Sequence, residues 1–209
     1  IMGTGKLKSK GVVEVTGEDG KKTEVEADHI ILATGARSKE LPNLKQDGKK
    51  IIGYREAMTL PTLPESMVVV GSGAIGSEFA NFYASMGTQV TLVEFLPHVV
   101  PVEDEEVSKQ LERSFKKMKM KVMTSSSVES VDTSGDKCKV QIKTAKGNKE
   151  VEADIVLSAV GVTPNTEKLG LEELGISQDN GKIGVNEFYQ TSVEGIYAIG
   201  DIVGGAALA

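Results

Sequence analysis

The chain has no tryptophan, one cysteine and few aromatic residues, and each scarcity removes a class of explanation. Cys138 alone excludes an internal disulfide within these 209 residues and fits a reducing compartment. It lies in the alternating run "KCKVQIK", which reads as a strand, so its expected role is structural. Histidine is equally scarce: His29 and His98 stand alone, and no cluster of His, Cys, Asp or Glu has metal-ligand spacing. No apolar run approaches the ~18 residues of a membrane span, and the first residues do not form a signal peptide. Positive charge is also short: the net charge of -6 argues against general affinity for nucleic acid or anionic membrane. The one basic cluster, from Lys116 to Lys121, reads as the solvated end of a helix, where the dipole favours cations. With 39% apolar and 26% charged residues, the composition is that of a soluble, intracellular globular protein, long enough for one large domain or two small ones.

Glycine is plentiful and purposefully spaced. The stretch "ESMVVVGSGAIGSEFANFYASMGTQVTLVE" opens with a buried-strand run, Met67 to Val70, and turns at Gly71, Gly73 and Gly76. It continues as a helix whose apolar face is read as Ile75, Phe79, Phe82, Tyr83 and Met86, then as a strand, Gln89 to Val93, ending in Glu94. Strand, glycines, helix, strand and terminal acid in this order form a dinucleotide-binding signature. Gly71 permits the tight turn, Gly73 lets backbone approach a pyrophosphate, and Gly76 lets helix and strand pack closely. Ser72, Ala74 and Ile75 complete the turn, and the helix start offers unpaired N–H groups to phosphates. Glu94 is placed to accept from the adenosine ribose hydroxyls. The same carboxylate repels a 2′-phosphate by roughly 1 to 4 kcal/mol at ~4 Å, which selects NAD over NADP.

Beyond Glu94 the sequence predicts an amphipathic helix over Asp104 to Met118, with Val107, Leu111, Phe115 and Met118 on one face. Strands are expected at Lys121 to Met123, Ser127 to Val131, Lys139 to Lys143 and Glu150 to Ala159, the later ones joined by tight turns as an antiparallel meander. The last strand matters most. "EVEADIVLSAVG", from Glu150 to Gly161, repeats "EVEADHIILATG", from Glu24 to Gly35, with seven of twelve positions identical and in register. The second copy closes a nucleotide-binding unit; the first is expected to close a similar one. "GTG" at Gly3 to Gly5 does not open that unit, because no strand precedes it and Lys8 stands where a third glycine is needed. The chain therefore reads as an internal segment of a longer protein with two related dinucleotide domains, and Ile1 in place of Met is consistent with this.

Four phrases carry a family resemblance: "ILATGA" at Ile31 to Ala36, "GSGAIGSE" at Gly71 to Glu78, "AVGVTPNT" at Ala159 to Thr166 and "TSVEGIYAIGD" at Thr191 to Asp201. With them, essentially the whole chain resembles the flavoprotein disulfide reductases that carry two dinucleotide-binding domains. The run "VTLVEFLPHVVPVEDEEVSKQLERSFKK" is similar to the branch that reoxidises dihydrolipoamide. The resemblance implies an α/β, Rossmann-like three-layer fold with a parallel sheet and an antiparallel meander, in which the NAD domain is complete and the FAD domain partial. Its implied divisions are residues 1–61 from the FAD domain and connector, 62–165 as the NAD domain, and 166–209 returning to the FAD domain.

The implied cofactors are FAD and NAD. Ala33, Thr34, Gly35, Ala36, Asp201, Ala207, Leu208 and Ala209 match positions along FAD, and Asp201 matches the acid that holds the ribityl chain. Glu78 matches an acid near flavin and nicotinamide, while Val128 and Gly161 match positions lining the NAD site. Val162 departs from the arginine common in relatives, and Asp28 and Asp154 are read as strand entrances without chemistry. The implied reaction is electron transfer from dihydrolipoamide through an enzyme disulfide and FAD to NAD, in partnership with lipoyl domains of 2-oxoacid dehydrogenase complexes and as a homodimer. The implied location is bacterial cytoplasm or mitochondrial matrix. The family's redox cysteines and His–Glu pair match nothing in this chain, so these residues alone are expected to be inactive. Two alternatives stay open: another NADH-linked member of the superfamily, such as a coenzyme A disulfide reductase or NADH oxidase, and a non-catalytic NAD-binding module.

Overall fold

A computed structural model describes residues 1–205. The chain forms two compact units, one of residues 1–37 with the stretch from Val162 onward, the other Ser38–Gly161.

The first unit opens with an antiparallel meander of β1 (Thr4–Ser9), β2 (Val12–Thr16) and β3 (Lys22–Glu26). The chain then enters β4 (Ile30–Leu32) and β5 (Ala36–Ser38).

The second unit holds β6 (Ile51–Ile52), α1 (Tyr54–Ala57), β7 (Ser66–Val70), α2 (Ala74–Ser85), β8 (Gln89–Val93), α3 (Glu105–Lys117) and β9 (Lys121–Met123). A meander of β10 (Ser127–Asp132), β11 (Cys138–Thr144) and β12 (Gly147–Ala153) follows, and β13 (Ile155–Ser158) closes the unit. Its five-stranded sheet is parallel throughout, in the order β6-β13-β7-β8-β9. Because side chains alternate across a strand, β7 feeds two cores. Met67 and Val69 pack with Ala80, Tyr83 and Phe115 on the helical side, while Val68 and Val70 pack with Cys138, Val140 and Ile142 on the meander side. Helices, parallel sheet and meander are thus three layers, as the sequence implies. Cys138 is fully buried in that second core, and burial pushes its thiol pKa up, in keeping with a structural role.

Returning to the first unit, the chain forms β14 (Val162–Pro164), β15 (Gln178–Asp179), β16 (Lys182–Ile183) and β17 (Ile196–Ala198), and a 3-10 turn at Gly200–Ile202. Strand β17 pairs in parallel with β4, and their inward residues Ile30, Leu32, Ile196 and Ala198 join Leu7, Leu171 and Ile183 in one core.

Three details depart from the sequence reading. The strand expected over Glu150 to Ala159 is two strands, β12 and β13, broken at Asp154. There the chain leaves the meander for the parallel sheet, and the Asp154 carboxylate accepts from the Ser66 amide (2.8 Å) and hydroxyl (2.9 Å). On α2, Tyr83 is buried and Ile75 and Phe79 pack against the core as read, but Phe82 and Met86 are exposed and Gly76, Ser77 and Ala80 take their share of the buried face, because close approach of helix to sheet admits small side chains there. On α3, Val107 is likewise exposed and Phe115 carries the packing, with Asp104 capping the helix by accepting from the Glu106 amide at 2.8 Å. By compactness the second unit runs from Ser38 to Gly161, and Leu44, Ile51 and Ile52 belong to its cores.

Among the described residues no helix is long and apolar enough to cross a membrane. No group of three metal-binding side chains is assembled among them.

Candidate functional site

Gly71 leaves β7 at φ +96°, a left-handed conformation that admits glycine at little cost. A Cβ on Gly71 would lie 2.5 Å from the Ala159 carbonyl oxygen, and one on Gly76 would lie 1.9 Å from the Gly71 carbonyl oxygen. Neither obstacle is a side chain that could swing away, so both positions require glycine. Gly73, by contrast, has nothing within 4 Å of where its Cβ would stand. The open space over Gly73 is where a ligand's phosphates could approach backbone. Gly73 also caps α2 without a side-chain hydrogen bond, and the first turn of α2 carries no acid. Its N–H groups and partial positive charge are left for an anion. These features fit a dinucleotide pyrophosphate.

Glu94 stands at the C-terminal end of β8, next to β7 in the sheet, and is buried. Its Oε2 accepts from the Ser72 amide at 2.8 Å and the Ser72 hydroxyl at 2.7 Å, and its Oε1 accepts from the Leu96 amide at 2.8 Å. Three donors occupy most of the roughly four acceptor positions of a carboxylate. Ser72, expected among the nucleotide contacts, therefore has both its N–H and its O–H engaged by Glu94, and it is fully buried. The Ser72 carbonyl in turn accepts from the Ser77 hydroxyl and from the Val100 amide, each at 2.9 Å. Val100 sits at φ +42°, a left-handed conformation that costs a β-branched residue on the order of 1–3 kcal/mol. The loop after Glu94 is thus drawn back onto the glycine turn at a strained residue.

The remaining expected NAD-side residues lie in the same unit. Glu78 is exposed on α2, one turn into the helix. Val128 is buried on β10, and its carbonyl accepts from the Asn43 side-chain amide at 2.6 Å. Gly161 follows β13 at φ +113°, and its carbonyl accepts from the Lys39 amide at 2.9 Å. Asn43 and Lys39 were not legible as site residues, since each acts on a partner far along the chain.

The expected FAD-side residues belong to the first unit. Gly35 takes φ +67° after β4, between the exposed Thr34 and the buried Ala36; Ala33 is exposed. Asn165 fastens this turn. Its amide donates to the Gly35 carbonyl at 2.9 Å, its side chain donates to the Thr34 carbonyl at 3.1 Å, and its own carbonyl accepts from the Thr34 hydroxyl at 2.6 Å. Arg37 then bridges the Asn165 side chain at 2.8 Å and both oxygens of Glu167 at 2.6 and 3.1 Å. The hydrogen bonds from Arg37 hold the Glu167 carboxyl at about 2, well below the usual glutamate range. Asp201 is half-buried in the 3-10 turn after β17. Ala207, Leu208 and Ala209 lie outside the described residues.

A three-layer unit with a glycine turn, an uncapped helix start and an acid at the next strand end is a dinucleotide-binding unit. Comparison with known proteins makes this specific: the chain belongs to the pyridine nucleotide-disulphide oxidoreductase family, whose model matches residues 1–209. Members of this family use FAD and NAD. The chain is 46% identical over 202 residues to a dihydrolipoyl dehydrogenase of Chlorobaculum parvum, covering 96% of this chain and 43% of that one. It is 42% identical over 212 residues to the mitochondrial dihydrolipoyl dehydrogenase 2 of Arabidopsis thaliana, covering 100% and 42%. Its fold matches the crystal structure of LpdA from Mycobacterium tuberculosis with a TM-score of 0.88 at 34% identity, covering 100% of this chain and 46% of that one. The chain thus spans less than half the length of these relatives.

Proposed function

We propose that the chain carries the NAD site and part of the FAD site of a dihydrolipoamide dehydrogenase, the E3 component of 2-oxoacid dehydrogenase complexes. The observation that carries this reading is the Gly71 to Glu94 arrangement: an open backbone cradle at Gly73 and a fixed carboxylate at the neighbouring strand end. The identities to dihydrolipoyl dehydrogenases on both sides of the bacterial and plant divide support it.

In this reading Ser38–Gly161 is the NAD-binding unit. The helix start beyond Gly73, with Ala74, Ile75 and Gly76, holds the pyrophosphate; Glu94 accepts from the adenosine ribose; Val128, Gly161 and Glu78 line the path toward the nicotinamide. In the first unit Thr34, Gly35, Ala36 and Asp201 hold FAD, with Asn165 and Arg37 fixing the turn they depend on. Held there, FAD would supply the two-electron chemistry that links a dithiol to hydride transfer onto NAD. These residues contribute binding, orientation and exclusion of water. The dithiol step itself needs paired cysteines, and the 209 residues contain only Cys138, which is buried. The partners are lipoyl domains and, in a homodimer, a second copy of the same protein. The location is the bacterial cytoplasm or the mitochondrial matrix.

The test is a titration of the purified chain with NADH, following the dihydronicotinamide emission, with NADPH in parallel. NADH should bind at least about tenfold more tightly than NADPH, since an adjacent carboxylate disfavours the 2′-phosphate. Equal binding of the two, or none, would remove the reading.

A further inference from the structure

We infer that Ser72 is a positioning residue for nucleotide choice, which it exerts by fixing the Glu94 carboxylate from inside the turn. The inference rests on the reading of Gly71 to Glu94 as an NAD site.

Three observations carry it. Ser72 is fully buried and gives both of its donors, amide and hydroxyl, to the same oxygen of Glu94. The other oxygen is held by the Leu96 amide, so the carboxylate is gripped from both sides and cannot rotate without breaking a hydrogen bond. Ser72 is itself clamped from behind, because its carbonyl receives the Ser77 hydroxyl and the amide of the strained Val100. A serine whose only task was to turn the chain would need no hydroxyl, since the conformational demands fall on Gly71 and Gly76.

The consequence for ligands follows from what the grip leaves. A held carboxylate presents its remaining lone pair in one direction, ready for a ribose hydroxyl without reorganisation. It also cannot turn away from a 2′-phosphate, so repulsion between the two anions is felt in full. Without the Ser72 hydroxyl, Oε2 retains one donor and the carboxylate gains freedom. NADH then loses a preorganised acceptor, and NADPH meets an anion able to withdraw.

The experiment compares NADH and NADPH affinities, by the same emission titration, for the 209-residue chain and four variants: Ser72→Ala, Ser77→Ala, Glu94→Gln and the Ser72→Ala, Glu94→Gln double. Ser72→Ala should lower the NADH-to-NADPH affinity ratio by about tenfold, the scale of one hydrogen bond to a charged group. Ser77→Ala removes the other hydroxyl on the same turn, one that reaches the Ser72 carbonyl and not Glu94; the Val100 amide still holds that carbonyl, so the ratio should stay within about twofold. In a Glu94→Gln background, Ser72→Ala should produce no further change, because the two residues act as one unit. An unchanged ratio in Ser72→Ala, with the parent chain still preferring NADH, overturns the inference and leaves the NAD site standing. An equal fall in Ser77→Ala, or a further fall in the Glu94→Gln background, also overturns it by assigning the effect to turn rigidity. A parent chain without NADH preference overturns the site reading and this inference together.

Discussion

The repeated phrase builds the same local structure twice and buries it differently. In each copy the chain finishes a three-stranded antiparallel meander, passes an aspartate and enters a parallel strand. In the second copy that strand, β13, lies between β6 and β7, and Val156, Leu157 and Ser158 are all buried. In the first copy the strand, β4, pairs among the described residues with β17 alone, and Ile31 is 62% exposed between the buried Ile30 and Leu32. Seven shared residues in twelve therefore specify the turn from meander to parallel strand. Neighbouring strands and helices, supplied by other sequence, decide how much each residue contributes to stability.

Replacement of one glycine in each unit, Gly76 at the start of α2 and Gly35 after β4, should break the comparison most visibly. Gly76→Ala places a methyl 1.9 Å from the Gly71 carbonyl oxygen and 3.2 Å from the Ala159 Cβ, so backbone must move. Urea unfolding followed by circular dichroism should show a loss of about 3 kcal/mol or more for Ser38–Gly161, with loss of NADH binding. Gly35→Ala meets nothing within 4 Å and pays only for its φ of +67°, roughly 1–2 kcal/mol. Equal losses would show that conformation, not close packing, governs both sites.

How far all this was legible in the sequence depends on range. Strands Gln89–Val93 and Lys121–Met123, and the helix after Asp104, are set by periodicity and capping within a few residues, and they appear where the pattern puts them. On α2 the pattern placed Ile75, Phe79 and Tyr83 correctly and Phe82 and Met86 wrongly, because hydrophobicity alone does not show that contact with the sheet selects Gly76 and Ala80 for size. The break at Asp154 was hidden because an apolar pattern continues through it; only Ser66, on a strand 88 residues earlier, reveals what the aspartate holds. In the candidate site, the glycines and Glu94 announced themselves by order. The grip of Ser72 on Glu94 did not, since it exists only once β7 and β8 are side by side. Asn165, which reaches the Thr34 turn from 131 residues along the chain, had no local signal at all, and Arg37 beside that turn takes its role only through Asn165 and Glu167.

Truncation of the parallel strands themselves gives the next largest contrast. Leu157→Ala removes a fully buried side chain packed among Ile52, Val69 and Ala159, and should cost about 2–5 kcal/mol. Ile31→Ala, in the corresponding strand of the first copy, should change stability by no more than about 0.5 kcal/mol, as for other exposed positions. Both are read by the same urea titration. A large loss from Ile31→Ala would mean that β4 is covered in solution.

The smallest effect separates the two aspartates. Asp28 is exposed, whereas Asp154 receives the Ser66 amide and hydroxyl and pairs with Lys137 at 3.2 Å. Burial raises the Asp154 carboxyl, but the Ser66 hydrogen bonds and Lys137 outweigh it, so its folded value lies below the ordinary 3.8. A carboxyl lowered on folding binds fewer protons in the native state, so its contribution is complete above about pH 4 and is lost as pH falls through the folded value. Asp154→Asn should therefore cost about 1 kcal/mol at pH 7, the scale of a charge-assisted hydrogen bond partly open to solvent, and the gap from the parent chain should close below pH 3.8. Asp28→Asn should leave stability unchanged across the same range. A gap at Asp154 that stays constant on acidification would show that the side chain acts through shape and not through charge, and the two copies would then differ only in burial.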